Sequence, residues 1–148
     1  TTIRVNAIIS SDATAYDKLL RMAEQTLPLD EERRTEVKIW LAFWSAATID
    51  QSLAKENDDR MDEWFSALIP LLKEVAPEAD VEHEANLLIG LVNGLGIQLA
   101  VNPTKRNLNR AQSVIGIHLK QLRSEERRVG KECRTWREAQ RWTKKTRR

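Results

Sequence analysis

Aromatic rings at helical spacing are the residues of this chain with the most chemical promise. Trp40 and Trp44 stand at i and i+4, Phe43 lies between them, and Trp64 and Phe65 follow further along. On a helix the two indoles share one face, and rings from a neighbouring helix can meet them in a wall of polarizable surface. The same spacing also builds a plain aromatic core. Other groups promise less. His83-Glu84 begins like a zinc-protease helix motif, but the second histidine that both imidazoles need on one face would fall at Leu87, so the motif fails. Asp58, Asp59, Asp62 and Glu63 form a carboxylate cluster with no histidine or cysteine to join it, which reads as a solvated helix face rather than a metal site. His118 is either a ligand contact, a pH-sensitive interface group or a packed histidine. No nucleophile elbow, phosphate-cradling glycine loop or Ser/His/Asp arrangement is present, so neither a catalytic residue nor a cofactor or metal is assigned.

The composition suits one all-helical soluble domain: 148 residues, 31% charged, with only five glycines and few aromatics. The formal charge of +2 conceals an asymmetry. From Arg123 to Arg148 there are 11 Lys/Arg against 4 Asp/Glu, a balance of +7, which leaves −5 for residues 1–122. A basic tail holding Trp136 and Trp142 invites a nucleic-acid arm, since cations neutralise phosphates and indoles stack on bases. Against this, Arg123-Ser124-Glu125-Glu126-Arg127-Arg128-Val129-Gly130-Lys131-Glu132-Cys133 resembles the in-frame translation of a common short-read sequencing adapter. Residues 123–148 are therefore set aside as an artefactual tail. The single cysteine, Cys133, goes with them. The chain opens Thr1-Thr2-Ile3-Arg4-Val5, with neither a signal peptide nor an initiator methionine, which suggests a fragment.

The elements that must position the rings are helices. Ile3, Val5, Ala7, Ile8 and Ile9 alternate as in a strand. Asp12 can cap a helix carrying Ala15, Tyr16, Leu19, Leu20, Met22 and Ala23, closed by Pro28. Asp30 caps the next, with Glu31 and Glu32 in its first turn and Val37, Trp40, Leu41, Trp44 and Thr48 as its stripe. A third helix starts at Asp50 and runs through Leu53, Asn57, Met61, Trp64, Phe65, Leu68, Leu72 and Val75, with a kink or break expected at Pro70. After a turn at Pro77-Glu78-Ala79-Asp80, the run from Ala85 to Val101 is apolar almost all round. It falls short of the roughly 20 apolar residues of a membrane span, so no membrane is expected and a second subunit is the natural cover. Gly90 and Gly94 would permit close approach of another helix. Asn107 can cap a last helix with Leu108, Ala111, Val114, Ile115, His118, Leu119 and Leu122 on its apolar side. Four or five helices on short loops argue a helical bundle.

The stretch Leu27-Pro28-Leu29-Asp30-Glu31-Glu32-Arg33-Arg34, followed by Val37-Lys38-Ile39-Trp40-Leu41-Ala42-Phe43-Trp44, resembles the ligand-binding domain of tetracycline-repressor-type (TetR family) regulators, in their betaine-repressor (BetI-like) branch. The resemblance spans roughly residues 13–122. It implies an all-α antiparallel bundle that dimerises through its last two helices, a small-molecule pocket between the central helices, and a cytoplasmic one-component repressor. The chain then divides into 1–12, the truncated end of a preceding helix; 13–122, the ligand-binding and dimerisation domain; and 123–148. On this resemblance Trp40, Phe43, Trp44, Trp64, Phe65 and Asn93 are the ligand-binding candidates. Asn93 is an amide at the pocket floor or a helix-helix hydrogen bond. A quaternary ammonium effector is implied, to which each well-placed ring would contribute about 0.5 to 2 kcal/mol. Glu36 or Glu63 would then supply the opposite charge. Leu88, Leu91, Leu95, Leu99, Val114, Ile115, His118 and Leu122 are the candidates for the homodimer interface. Operator DNA would be read only through an N-terminal helix-turn-helix that this chain lacks. The alternatives are a stand-alone helical interaction module, or a nucleic-acid-binding protein using its basic tail. Sequencing the parent locus through both ends of the frame is expected to show a helix-turn-helix upstream and a stop near Leu122. A frame continuing through Arg148 in genuine DNA would return the tail to the functional candidates.

Overall fold

The computed structural model describes residues 2–123 and places them in six helices, with no strand among them. These are α1 (Thr2–Ile9), α2 (Ala15–Gln25), α3 (Glu31–Ala47), α4 (Gln51–Val75) and α5 (Val81–Val101), followed by α6 over 105–123. The adapter-like tail beyond Arg123 lies outside the described residues, and with it Cys133, Trp136, Trp142 and the nucleic-acid-arm reading. The all-α expectation holds, with six helices rather than four or five. The first apolar stretch is helical, because Val5 and Ile8, three residues apart, are the two that turn inward.

Side chains set most of the helix starts. Asp30 accepts from Arg33 N at 2.8 Å, Asp50 from Ser52 N at 2.8 Å and Asp80 from His83 N at 3.1 Å. Each satisfies a backbone donor that the first turn leaves free. Two starts differ from the sequence reading. Thr14, not Asp12, caps α2, accepting from Asp17 N at 3.1 Å while its hydroxyl donates to the Asp17 carboxylate at 2.7 Å. Asp12 lies in the bend after α1. For α6 the helix already runs from 105, so Asn107 is inside it. Asn107 N donates to Thr104 Oγ1 at 3.3 Å, and its side-chain amide donates back to Asn102 O at 3.1 Å.

Pro70 does not break α4, which is continuous over 25 residues. Its missing N–H would have bonded to the carbonyl of Ser66, and both residues lie on the exposed side, where water can take that carbonyl. The C-terminal half of α4 is the buried half: Leu68 and Leu72 join Leu19 and Met22 of α2 and Leu88 of α5 in one apolar cluster. The cluster also takes Ala111, Ile115, Leu119 and Leu122 from α6. Gln112 ties α6 further to α2, donating to Glu24 Oε1 at 2.9 Å, and Arg123, the last described residue, holds its guanidinium 4.5 Å from the Tyr16 ring.

On α5, Ala85, Leu88, Val92, Gly96 and Leu99 form one buried face. Gly96 suits that face, because a Cβ at that position would sit a tight 3.1 Å from the backbone oxygen of Thr26. The opposite face is open, with Leu87 at 47% and Val101 at 83% exposure, and Ile117 of α6 is exposed at 53%. Against expectation, α5 is long and apolar enough by length and composition to cross a membrane: 21 residues, with a mean hydropathy of 1.4 in its most apolar window. It nonetheless contributes a full face to the bundle core.

This separation places the eight dimer candidates. Leu88, Leu99, Ile115 and Leu122 are turned into the chain's own core at 5% exposure or less, so they are already covered within one subunit. Leu91, Leu95 and His118 are half-buried and Val114 is exposed. The outward apolar surface continues through Leu87 and Ile117, which the periodicity reading passed over.

The caps make acid stability predictable. Hydrogen bonds from the side chain and backbone of Arg33 hold the Asp30 carboxyl below its ordinary 3.8. Those from Ser52 and Leu53 do the same for Asp50. A depressed folded-state pKa gives stability that is fully present above 3.8 and is lost as pH falls through the lower folded values. Thermal melts of D30N and D50N are expected to lose part of that acid-limb dependence while keeping a functional cap at neutral pH.

Candidate functional site

Only Val37 of α3 is buried, although the helix carries Trp40, Phe43 and Trp44. Its aromatic stripe is therefore not sealed by the bundle, and a cavity of about 170 Å³ opens beside it. Four further elements complete the walls. From α1 come Val5, Asn6 and Ile9; from the end of α2 and the following loop, Gln25 and Thr26; from α4, Arg60, Met61, Glu63, Trp64 and Leu68; from α5, Leu88, Val92, Asn93 and Gly96. The lining is apolar on most sides, with three amides, two carboxylates and a guanidinium placed around it, as small-molecule sites generally combine apolar walls with a few polar groups.

Of the six ligand candidates, the structure brings Trp40, Trp44, Trp64 and Asn93 to this one cavity. Glu36 and Glu63, the two carboxylates named beside them, line it as well. Phe43 and Phe65 do not. Phe43 is rotated off the indole face by the helical period and meets Trp40 edge-on, with centroids 5.6 Å apart and planes at 89°. Phe65 packs against the apolar core cluster. Trp40 and Trp44 lie 6.1 Å apart and tilted by 36°. Leu88, expected at a subunit interface, forms part of the cavity wall.

Polar contacts fix the wall. Trp44 Nε1 donates to Asn57 Oδ1 at 3.0 Å, locking the indole of α3 to α4. Arg60 stands over the Trp40 ring, 5.5 Å from its centroid, and pairs with Glu56 at 2.7 Å. Arg4 reaches across from α1, donating to Gln25 Oε1 at 2.9 Å, to Glu32 at 2.6 Å and to Glu36. Burial works against its charge, but the bonds and charges of Glu36 and Glu32 outweigh it, so the guanidinium is held more firmly protonated than usual. Sequence reasoning missed Arg4, Arg60 and the α1 wall. Nothing in the spacing of an eight-residue helix shows which of its residues reach a helix two elements away.

His118 Nε2 has no hydrogen-bond partner and lies 3.7 Å from Glu84 Oε2, away from the cavity lining. Among the described residues no group of histidine, cysteine and carboxylate side chains is arranged to hold a metal.

Residues 15–124 match the family model described as BetI-type transcriptional repressor, C-terminal. The chain is similar to the HTH-type transcriptional regulator PksA of Bacillus subtilis (strain 168), 28% identical over 130 residues, covering 86% of this chain and 63% of the relative. It is also similar to the HTH-type transcriptional regulator BetI of Vibrio vulnificus (strain YJ016), 28% identical over 120 residues, covering 80% of this chain and 54% of the relative. It thus spans less than two thirds of either curated relative. Among solved structures, a transcriptional regulator from Rhodococcus sp. Rha1 superposes with a TM-score of 0.70 at 26% identity, covering 82% of this chain and 66% of that one.

The Trp44–Asn57 bond gives a direct check on the wall. W44F leaves Asn57 Oδ1 without its donor and is expected to cost about 1 kcal/mol in denaturant unfolding. W44F/N57L, which removes both partners, is expected to recover part of that loss.

Proposed function

Because this chain belongs to the BetI-type family of transcriptional repressor C-terminal domains within the TetR regulators, we propose that it is the effector-binding and dimerisation part of a one-component repressor. The observation that carries this reading is the cavity walled by Trp40, Trp44 and Trp64 between α1, α3, α4 and α5. The effector in this reading is a small organic cation of the quaternary ammonium type. Trp40 and Trp64 offer ring faces to its charge, Glu63 supplies an exposed counter-charge at the same cavity, and Asn93 offers an amide to a polar end.

The chain pairs with a second copy through the outward faces of α5 and α6, where Leu87, Leu91, Val114 and Ile117 sit. Apolar surface of this kind, left open by a bundle whose core is already complete, is best covered by a partner. Operator DNA is read by a helix-turn-helix outside these residues, and the protein works in the bacterial cytoplasm, as a repressor acting on DNA requires. Effector binding changes DNA affinity only if the effector prefers one of two dimer conformations, since equal affinity for both shifts nothing. The preferred conformation then alters the spacing of two reading heads that must occupy successive major grooves.

Two measurements test the reading. Choline titrated into the full chain is expected to change tryptophan fluorescence saturably. W40A is expected to weaken that response about 2- to 30-fold, the range set by one cation-π contact. An unchanged affinity in W40A would remove the aromatic wall from the site. Sedimentation of the full chain is expected to give a dimer that L87E/I117E converts to a folded monomer.

A further inference from the structure

Two of the protein's own cations occupy groups that an incoming cation would use. Arg60 of α4 holds its guanidinium over Trp40, 5.5 Å from the ring centroid, steered by Glu56 one turn earlier. Arg4 of α1 donates to Glu36 and Glu32 on α3 and to Gln25 at the end of α2. Trp40, Arg60 and Glu36 all line the cavity, whereas Arg4 reaches Glu36 from outside the lining.

From this arrangement we infer that the pocket carries its own competitors: Arg60 on Trp40 and Arg4 on Glu36 set its affinity for organic cations, and Arg4 links Glu36 to the position of α1. The inference rests on the cation-pocket reading above and concerns how that site is regulated. A cation settling over Trp40 either displaces Arg60 or meets a like charge at close range, and both lower its net gain. Arg60 can leave at small cost, because its side chain and that of Glu56 are 44% and 49% exposed and such pairs are weak in water. Arg4 is held more tightly: its side chain is 28% exposed and makes three polar contacts at once. A cation that draws Glu36 away from Arg4 removes part of what ties α1 to α3, leaving α1 attached chiefly through Val5 and Ile8 in the core. Arg4 is in this sense a positioning residue, and Arg60 a specificity-determining one. Glu63 remains as the carboxylate an incoming cation meets first.

The test is a titration of tetramethylammonium into the full chain, following tryptophan fluorescence, with hydrogen exchange of the α1 amides measured in parallel. R60Q and R4Q are each expected to bind roughly two- to five-fold tighter than the parent, the equivalent of one exposed cation-π contact for Arg60 and of one solvent-screened ion pair for Arg4. Exchange in α1 is expected to quicken in R4Q and to stay unchanged in R60Q. A response of equal or lower affinity in either variant overturns the competition while leaving the cation pocket standing. No response in the parent or in either variant overturns the cation pocket, and this inference with it. R4K guards against a loosened fold, since it keeps a positive charge beside Glu36. Parent-like affinity in R4K supports the competition, and R4Q-like tightening in an R4K that melts like the parent overturns it.

Discussion

Leu68 and Leu72, at 2% and 1% exposure, fix the C-terminal half of α4 in the apolar cluster shared with α2, α5 and α6. The N-terminal half of the same helix has no such seal. There α4 faces α3, and the two meet through Asn57 on Trp44 and Arg60 on Trp40 rather than through a run of leucines. One rigid rod thus passes from a close-packed region into a half-open one. Because a helix transmits its position along its whole length, the packed half determines where the wall of the cavity stands. Large side chains around the opening can then remain half-exposed without the bundle collapsing onto them.

This division explains how the polar groups are used. In the packed half, no buried polar or charged side chain appears among the described residues. In the open half, each indole of α3 is met by a polar group of α4: Trp44 by the Asn57 amide and Trp40 by the Arg60 guanidinium. Trp side chains bury a large apolar body but keep one donor that needs a partner, and α4 supplies it one turn before the guanidinium. The wall is directional as well as apolar, which a cluster of leucines could not be.

Much of this could be read from residue order. The caps at Asp30 and Asp50 and the apolar stripes of α2 and α4 follow from local rules that act within one or two turns. Misreadings arose where the deciding contact was distant or where two local choices competed. Thr14 and Asp12 are both acceptable caps, and the choice fell to the residue whose hydroxyl could also bond Asp17. On α5 a sequence apolar all round does not reveal which stripe faces inward. Leu87 went to the surface and Leu88 and Leu99 to the core, on the same side as Gly96, whose missing side chain leaves room for the Thr26 carbonyl. Trp40, Trp44 and Trp64 could be picked out by spacing, whereas the arginines beside them could not. A long charged side chain can serve any of several neighbours, and only the assembled bundle says which.

The bond between Gln112 and Glu24 joins residues 88 positions apart, and it has a consequence for how the chain comes into being. Helix α2 buries Leu19 and Met22 completely, yet part of the cluster that covers them arrives with Ile115 and Leu119, near the end of the described residues. During synthesis the first hundred residues must therefore wait with an unfinished apolar seam, since contacts of such long sequence separation form late and fold slowly. Until α6 emerges, the chain is exposed to the mispairing that threatens any incompletely covered helix. The polar crowding in the first half of α4, five acidic and two basic side chains from Lys55 to Glu63, keeps that early segment hydrated while the seam waits for its last strip of cover.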